Sequence, residues 1–178
     1  AALVVLCLAG MFYLNHEPPP FNPLARATVH AQAHGHRVVP GYTATATLIE
    51  TVEVLLNKRG GYLSNDILPP WVFLDNVPNW EFGVLTQVRD LARAMRNDFS
   101  RSQTQSTEDL DLSEADPLFH YDNGRWIPPD TEGRYRNGVK ALELYLTRLS
   151  SPSEQTAQFY ARADNLAEDP EVKGFFIA

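Results

Sequence analysis

Apolar residues recur at spacings of three and four through much of this chain, which is the period of a helix that buries one face. In TATATLIETVEVLLNKRGG, residues Leu48, Ile49, Val52, Leu55 and Leu56 share a face, the threonines offer an N-cap, and Gly60-Gly61 stop the helix after Lys58. A second helix is predicted from Asn79 or Trp80 to about Phe99, with Val84, Leu85, Val88, Leu91, Ala92, Met95 and Phe99 inward. A third spans Asp130 or Thr131 to Leu149, buries Tyr135, Val139, Leu142, Leu146 and Leu149, and ends at Ser-Ser-Pro. A fourth starts at Ser153 as N-cap, carries Phe159, Tyr160, Ala163 and Leu166, and is broken by Pro170. No alternating strand pattern is convincing, so the expected class is all-α and bundle-like, with long Pro- and Trp-containing connections.

A different pattern opens the chain. AALVVLCLAGMFYL has no charged residue and is followed by Asn15-His16-Glu17 and three prolines. Such a run reads as the C-terminal part of a transmembrane helix whose beginning lies upstream, since fourteen residues reach only about 21 Å of the roughly 30 Å hydrocarbon core. A secretory signal and a buried core helix are the alternatives. No small-x-small cleavage site follows Met11, and the triple proline disfavours a core helix. Phe12 and Tyr13 then fall at the bilayer boundary, where aromatic rings are favoured, and the sparse basic residues beyond suit the non-cytoplasmic side. The expected layout is residues 1–14 as anchor, 15–41 as a proline-stiffened spacer and linker, and 42–178 as a helical domain.

PPWVFLDNVPNW, residues 69–80, is too apolar for an ordinary loop and too rich in proline for a helix interior or a central strand. Its aromatic rings either pack across the core or form a ridge for a partner protein. Trp71 is expected to be the exposed anchor with Phe73 beside it, and Trp80, at the start of a core helix, to be packed.

Composition narrows the function. Hydrophobic residues at 44% and charged residues at 21% are ordinary for a chain with a real core. A net charge of −7 with a pI near 5.2 lacks the basic footprint of a nucleic-acid binder. Cys7 is the one cysteine, so neither an internal disulfide nor a cysteine-based metal site can form.

Three constellations could carry chemistry. His30, His34 and His36 in HAQAHGH are the nearest approach to a metal set; on a helix His30 and His34 would share a face, but Gly35 interrupts and a further ligand cannot be named. The acidic run from Glu108 to Asp116 lacks the glycine of a calcium loop and reads as a solvated loop. Arg89, Arg93 and Arg96 form one stripe, either a solvated face or an acceptor for an acidic surface, including the 108–116 run of the same chain. No nucleophile elbow, phosphate loop or dinucleotide fingerprint occurs, so no catalytic residue and no cofactor are expected.

From GGYLSNDILPPWVFLDNVPNWEFGVL through WIPP, KALELYLTRL and QFYARADNL, the chain resembles a family of Gram-negative envelope proteins known as domain of unknown function 2333. The resemblance implies a single-pass inner-membrane protein with a helical periplasmic domain, and a further helix after ARADNL, where this chain reads AEDPEVKGFFIA. The expectation is a membrane-anchored, periplasm-facing structural or accessory subunit of an envelope complex. It would contact other envelope or inner-membrane proteins and, through residues 1–14, the lipid bilayer, and no nucleic acid. An enzyme of envelope polymers such as peptidoglycan, and a periplasmic metal-binding domain, are the competing classes.

Overall fold

The computed structural model describes residues 2–66, 68–101, 107–125, 130–152 and 156–160. Among these it is all-helical: α1 (Ala2–Leu14), α2 (Pro23–His34), α3 (Tyr42–Asn57), a 3-10 turn (Trp71–Phe73), α4 (Asn76–Ala94) running on into a π turn (Met95–Phe99), α5 (Leu110–Phe119) and α6 (Thr131–Ser150).

α3 is the central element, packed by α2, α4 and α6. Its first turns bury Thr45 and Thr47, whose hydroxyls donate back to the Gly41 and Thr43 carbonyls at 2.9 and 2.7 Å, so polar side chains enter the core without an unpaired donor. The helix begins one residue before the threonines: Gly41, at φ 85°, takes the N-cap position without a side-chain bond, and the Phe159 ring occupies the space that a Cβ there would need.

Two stretches not read as helical are helices. Residues 23–34, read as linker, form α2: Asn22 caps it by accepting from the Ala25 amide at 3.0 Å, Pro23 opens it, and Gly35 closes it in the left-handed region while the His36 amide donates to the Ala31 carbonyl. Its inward residues are the small Ala27 and Ala31, which allow close approach to α3 but leave only a faint apolar signal. The acidic run is α5 rather than a loop. Asp109 is its N-cap, accepting from the Asp111 and Leu112 amides at 3.0 and 3.3 Å, while Leu112, Ala115 and Phe119 face the core. α5 lies closely along α6, where Gly138 leaves room for the Phe119 ring.

α4 starts at Asn76, earlier than the periodicity suggests. Pro78 falls in its first turn, where an amide donor has no helical partner to lose. The π turn rotates the chain so that Met95 and Phe99 are both buried. The expected fourth helix is not found where it can be seen: residues 156–160 are non-helical, with the Tyr160 amide donating to the Phe99 carbonyl at 2.7 Å and the Phe159 ring stacked on Phe99 at 5.1 Å. Ser153, Ala163, Leu166 and the terminal residues of that expectation lie outside the described residues.

A second, smaller apolar cluster stands beside the main core. It joins Leu14 of α1 to Leu63, Leu74 and Val77, with Met11 and Trp71 packed against it. No helix among the described residues is long and apolar enough to cross a membrane.

Candidate functional site

The connection between α3 and α4 carries the Trp-rich stretch, and a buried carboxylate holds it. Glu81 falls on the inward stripe of α4 between Val77 and Leu85 and has no exposed surface. It accepts from the Leu63 amide at 2.8 Å and the Ser64 amide at 2.7 Å, from the Ser64 hydroxyl, and from the Lys58 ammonium. Lys58 also donates to the Leu55 carbonyl at 3.2 Å and to the Gly61 carbonyl, so one ammonium closes the end of α3 and the glycine turn after it. Burial pulls the Lys58 pKa below its ordinary value, partly offset by the facing carboxylate. A carboxylate with four donors and no solvent access binds no solute. It is a clamp that fixes residues 58–64 onto α4.

Beyond the clamp the chain turns at Trp71–Phe73. Trp71 is half-buried against Met11 and its cluster, rather than exposed, whereas Val72 and Phe73 point outward at 52% and 60% exposure. Trp80 packs against the main core. The opening helix seats directly on this turn: a Cβ on Gly10 would lie 3.2 Å from the Pro70 ring. At the end of α1, the Arg59 guanidinium lies 5.4 Å from the centre of the Tyr13 ring. The rest of α1 exposes Leu3, Val4, Val5, Leu6, Leu8 and Phe12.

All three arginines of the stripe have partners within the chain. Arg89 donates to the Phe119 and Tyr121 carbonyls at 2.8 and 3.0 Å, capping the end of α5, and Arg93 reaches the His120 ring at 2.7 Å. Arg96 pairs with Glu108 at 2.8 Å and with Asp116 at 3.0 Å. Arg148 of α6 takes Asp109 at 2.7 Å and also Asp111. The acidic run is thus held by arginines from two helices, which tie α5 into the bundle.

The histidines do come together, around a tyrosine. His30 and His36 each place Nδ1 on the Tyr42 hydroxyl, at 2.9 and 3.2 Å, and His34 places its Nδ1 on the His30 carbonyl at 2.9 Å. The His30 and His34 rings stack at 4.3 Å with 25° between their planes, so their nitrogens run side by side instead of converging. Among the described residues no group of three or more His, Cys, Asp or Glu side chains is arranged to hold a metal ion. Burial, together with the neighbouring imidazoles, lowers the pKa of His30 and His36 below the ordinary value.

Lys58, Ser64 and Glu81 are the residues that periodicity overlooks, although one signal was present: Glu81 interrupts an otherwise apolar stripe, and a carboxylate facing inward demands a cation and donors.

A family model described as an uncharacterized protein conserved in bacteria (DUF2333) matches residues 1–172. The chain belongs to the DUF2333 family. Comparison with curated proteins and with solved structures gave no match. The match spans the residues of α1, the clamp and the Trp-bearing turn alike.

Proposed function

We propose that this DUF2333 protein is a membrane-anchored, periplasm-facing structural or accessory subunit of a larger inner-membrane or envelope complex. The observation that carries the reading is the exterior of α1. Its 13 residues hold no charge, and outside the Gly10, Met11 and Leu14 face that meets the bundle its apolar side chains are exposed, from Leu3 at 82% to Phe12 at 77%. A helix without a polar face suits a hydrocarbon surrounding, since water disfavours it on all sides. At about 20 Å it would fill part of the roughly 30 Å hydrocarbon thickness. Internally satisfied charge is consistent with a scaffolding role: carboxylates of the acidic run pair with Arg96 and with Arg148 of α6, and Arg89 and Arg93 bond the end of α5.

The test is topology and company. A reporter active only outside the cytoplasm, fused after Ala178, is expected to be on, and the protein to stay in the membrane fraction through an alkaline wash. Crosslinking in intact cells, followed by solubilisation and mass spectrometry, is expected to recover stoichiometric envelope partners. A silent periplasmic reporter alongside an active cytoplasmic one reverses the orientation, and recovery of the protein alone removes the subunit role.

A further inference from the structure

The Trp-bearing turn has an outward apolar face that the bundle does not use. Val72 and Phe73 are exposed while the residues flanking them in sequence, Trp71 and Leu74, pack inward. Leu68, just before the turn, is also 56% exposed. This face is fixed against α1 at Gly10 and Met11, at the end of the helix closest to the bundle. Between turn and helix lies an open groove of about 350 Å³. Met11, Phe73 and Leu74 form its apolar side, and Asn15, Asp75 and Asn76 its polar side.

We propose that the Trp71–Phe73 turn is a second membrane contact, inserting Val72 and Phe73 into the interfacial zone of the leaflet that α1 enters. The proposal rests on the reading of α1 as a membrane helix and adds where the folded domain touches the bilayer. Three observations fix the occupant as lipid. First, α1 has no polar side, and the one face it turns to the bundle, at Gly10, Met11 and Leu14, is the face the turn covers; Val72 and Phe73 therefore lie beside the exposed apolar remainder of α1 and share its surroundings. Second, the contact covers roughly 6 Å of helix rise, from Gly10 to Leu14, immediately before the polar Asn15-His16-Glu17, so it lies at the end of α1 where an apolar helix leaves the acyl chains for the headgroups, the zone in which interfacial side chains settle. Third, the residues at that level have the character of such a boundary. Phe12 and Tyr13 are exposed aromatics, and Arg59, over the Tyr13 ring, holds an exposed cation where lipid phosphates lie.

The experiment uses the full chain with Cys7→Ser and one new cysteine, at Val5, Phe73 or Leu144, each labelled with an environment-sensitive fluorophore. All three positions are exposed, so labelling leaves the core intact, and circular dichroism verifies the fold. The proteins are reconstituted into vesicles of phosphatidylcholine with a minority of phosphatidylglycerol, some carrying nitroxide near the headgroup and others deep in the acyl chain. The Phe73 probe is expected to shift to the blue and to be quenched by shallow nitroxide at least about twice as strongly as the α6 probe at Leu144, with deep nitroxide less effective. The Val5 probe reports the anchor by itself. Quenching at Val5 without quenching at Phe73 overturns the second contact and leaves the anchor standing, whereas loss of both overturns the anchor reading as well. A Phe73 probe that is water-exposed in these vesicles but shielded in native membranes shows a protein occupant and also overturns the proposal.

Discussion

Glu81 is where a single side chain decides most. Its carboxylate neutralises an ammonium with 2% side-chain exposure and satisfies two backbone amides, so Glu81→Gln leaves a buried cation without its counter-charge. Breaking one half of such a pair is expected to cost about 3–5 kcal/mol in urea unfolding. Replacing both partners, as Lys58→Met with Glu81→Leu, removes the stranded charge and is expected to recover part of that loss; a cycle over the four proteins checks the coupling. The histidines act through protons. In the unfolded chain they titrate near 6.5, while burial lowers His30 and His36 in the fold. Between the lowered values and 6.5 the unfolded chain binds more protons, so stability rises with pH through that window and is complete above it. The midpoint of thermal unfolding is therefore expected to fall on acidification from about pH 7.5 to about 5.5, and to fall less in a His30→Gln, His36→Gln double variant measured beside the parent. His34 and Tyr42 are the titratable groups facing them in this cluster.

Among the helices, legibility followed the size of the buried residues. α3, α4 and α6 could be read from Leu, Val and Tyr at three and four because large apolar side chains mark the inward face unmistakably. α2 escaped because alanines do its packing, and α5 because its carboxylates and Pro117 suggest a loop, whereas their charge is matched by arginines distant in sequence. Residues 156–160 carry helix-like spacing yet run non-helically across Phe99, since a ring stack and a backbone bond hold them there. The α5–α6 contact gives a clean test. Gly138→Ala improves intrinsic helix propensity by up to about 1 kcal/mol. The new methyl would, however, sit 2.7 Å from the ring of Phe119, which is fully enclosed and cannot swing away. Overpacking of about 1–3 kcal/mol is expected to win, so this variant should lower the urea midpoint, while Gly83→Ala, with nothing near its Cβ, should not.

At the scale of the molecule, two apolar clusters divide the labour of Trp71 and Trp80. Trp80 supports the main core and Trp71 the small cluster shared with α1. Trp80→Ala is expected to lower the stability of the whole bundle by roughly 2 kcal/mol, less than for a fully enclosed ring because it is half-buried. Trp71→Ala is expected to change the bundle's urea midpoint little but to release α1, seen as faster proteolytic cutting in residues 15–22. The clamp between the clusters also has a consequence in time. Lys58 and Glu81 can give up their water only after α3 and α4 have come together, and their union closes a loop of more than twenty residues. Such a contact is expected to form after the folding barrier. In stopped-flow measurements Glu81→Gln is therefore expected to accelerate unfolding while leaving the folding limb almost unmoved, which makes the clamp the latch on the lifetime of the folded domain rather than a guide to its formation.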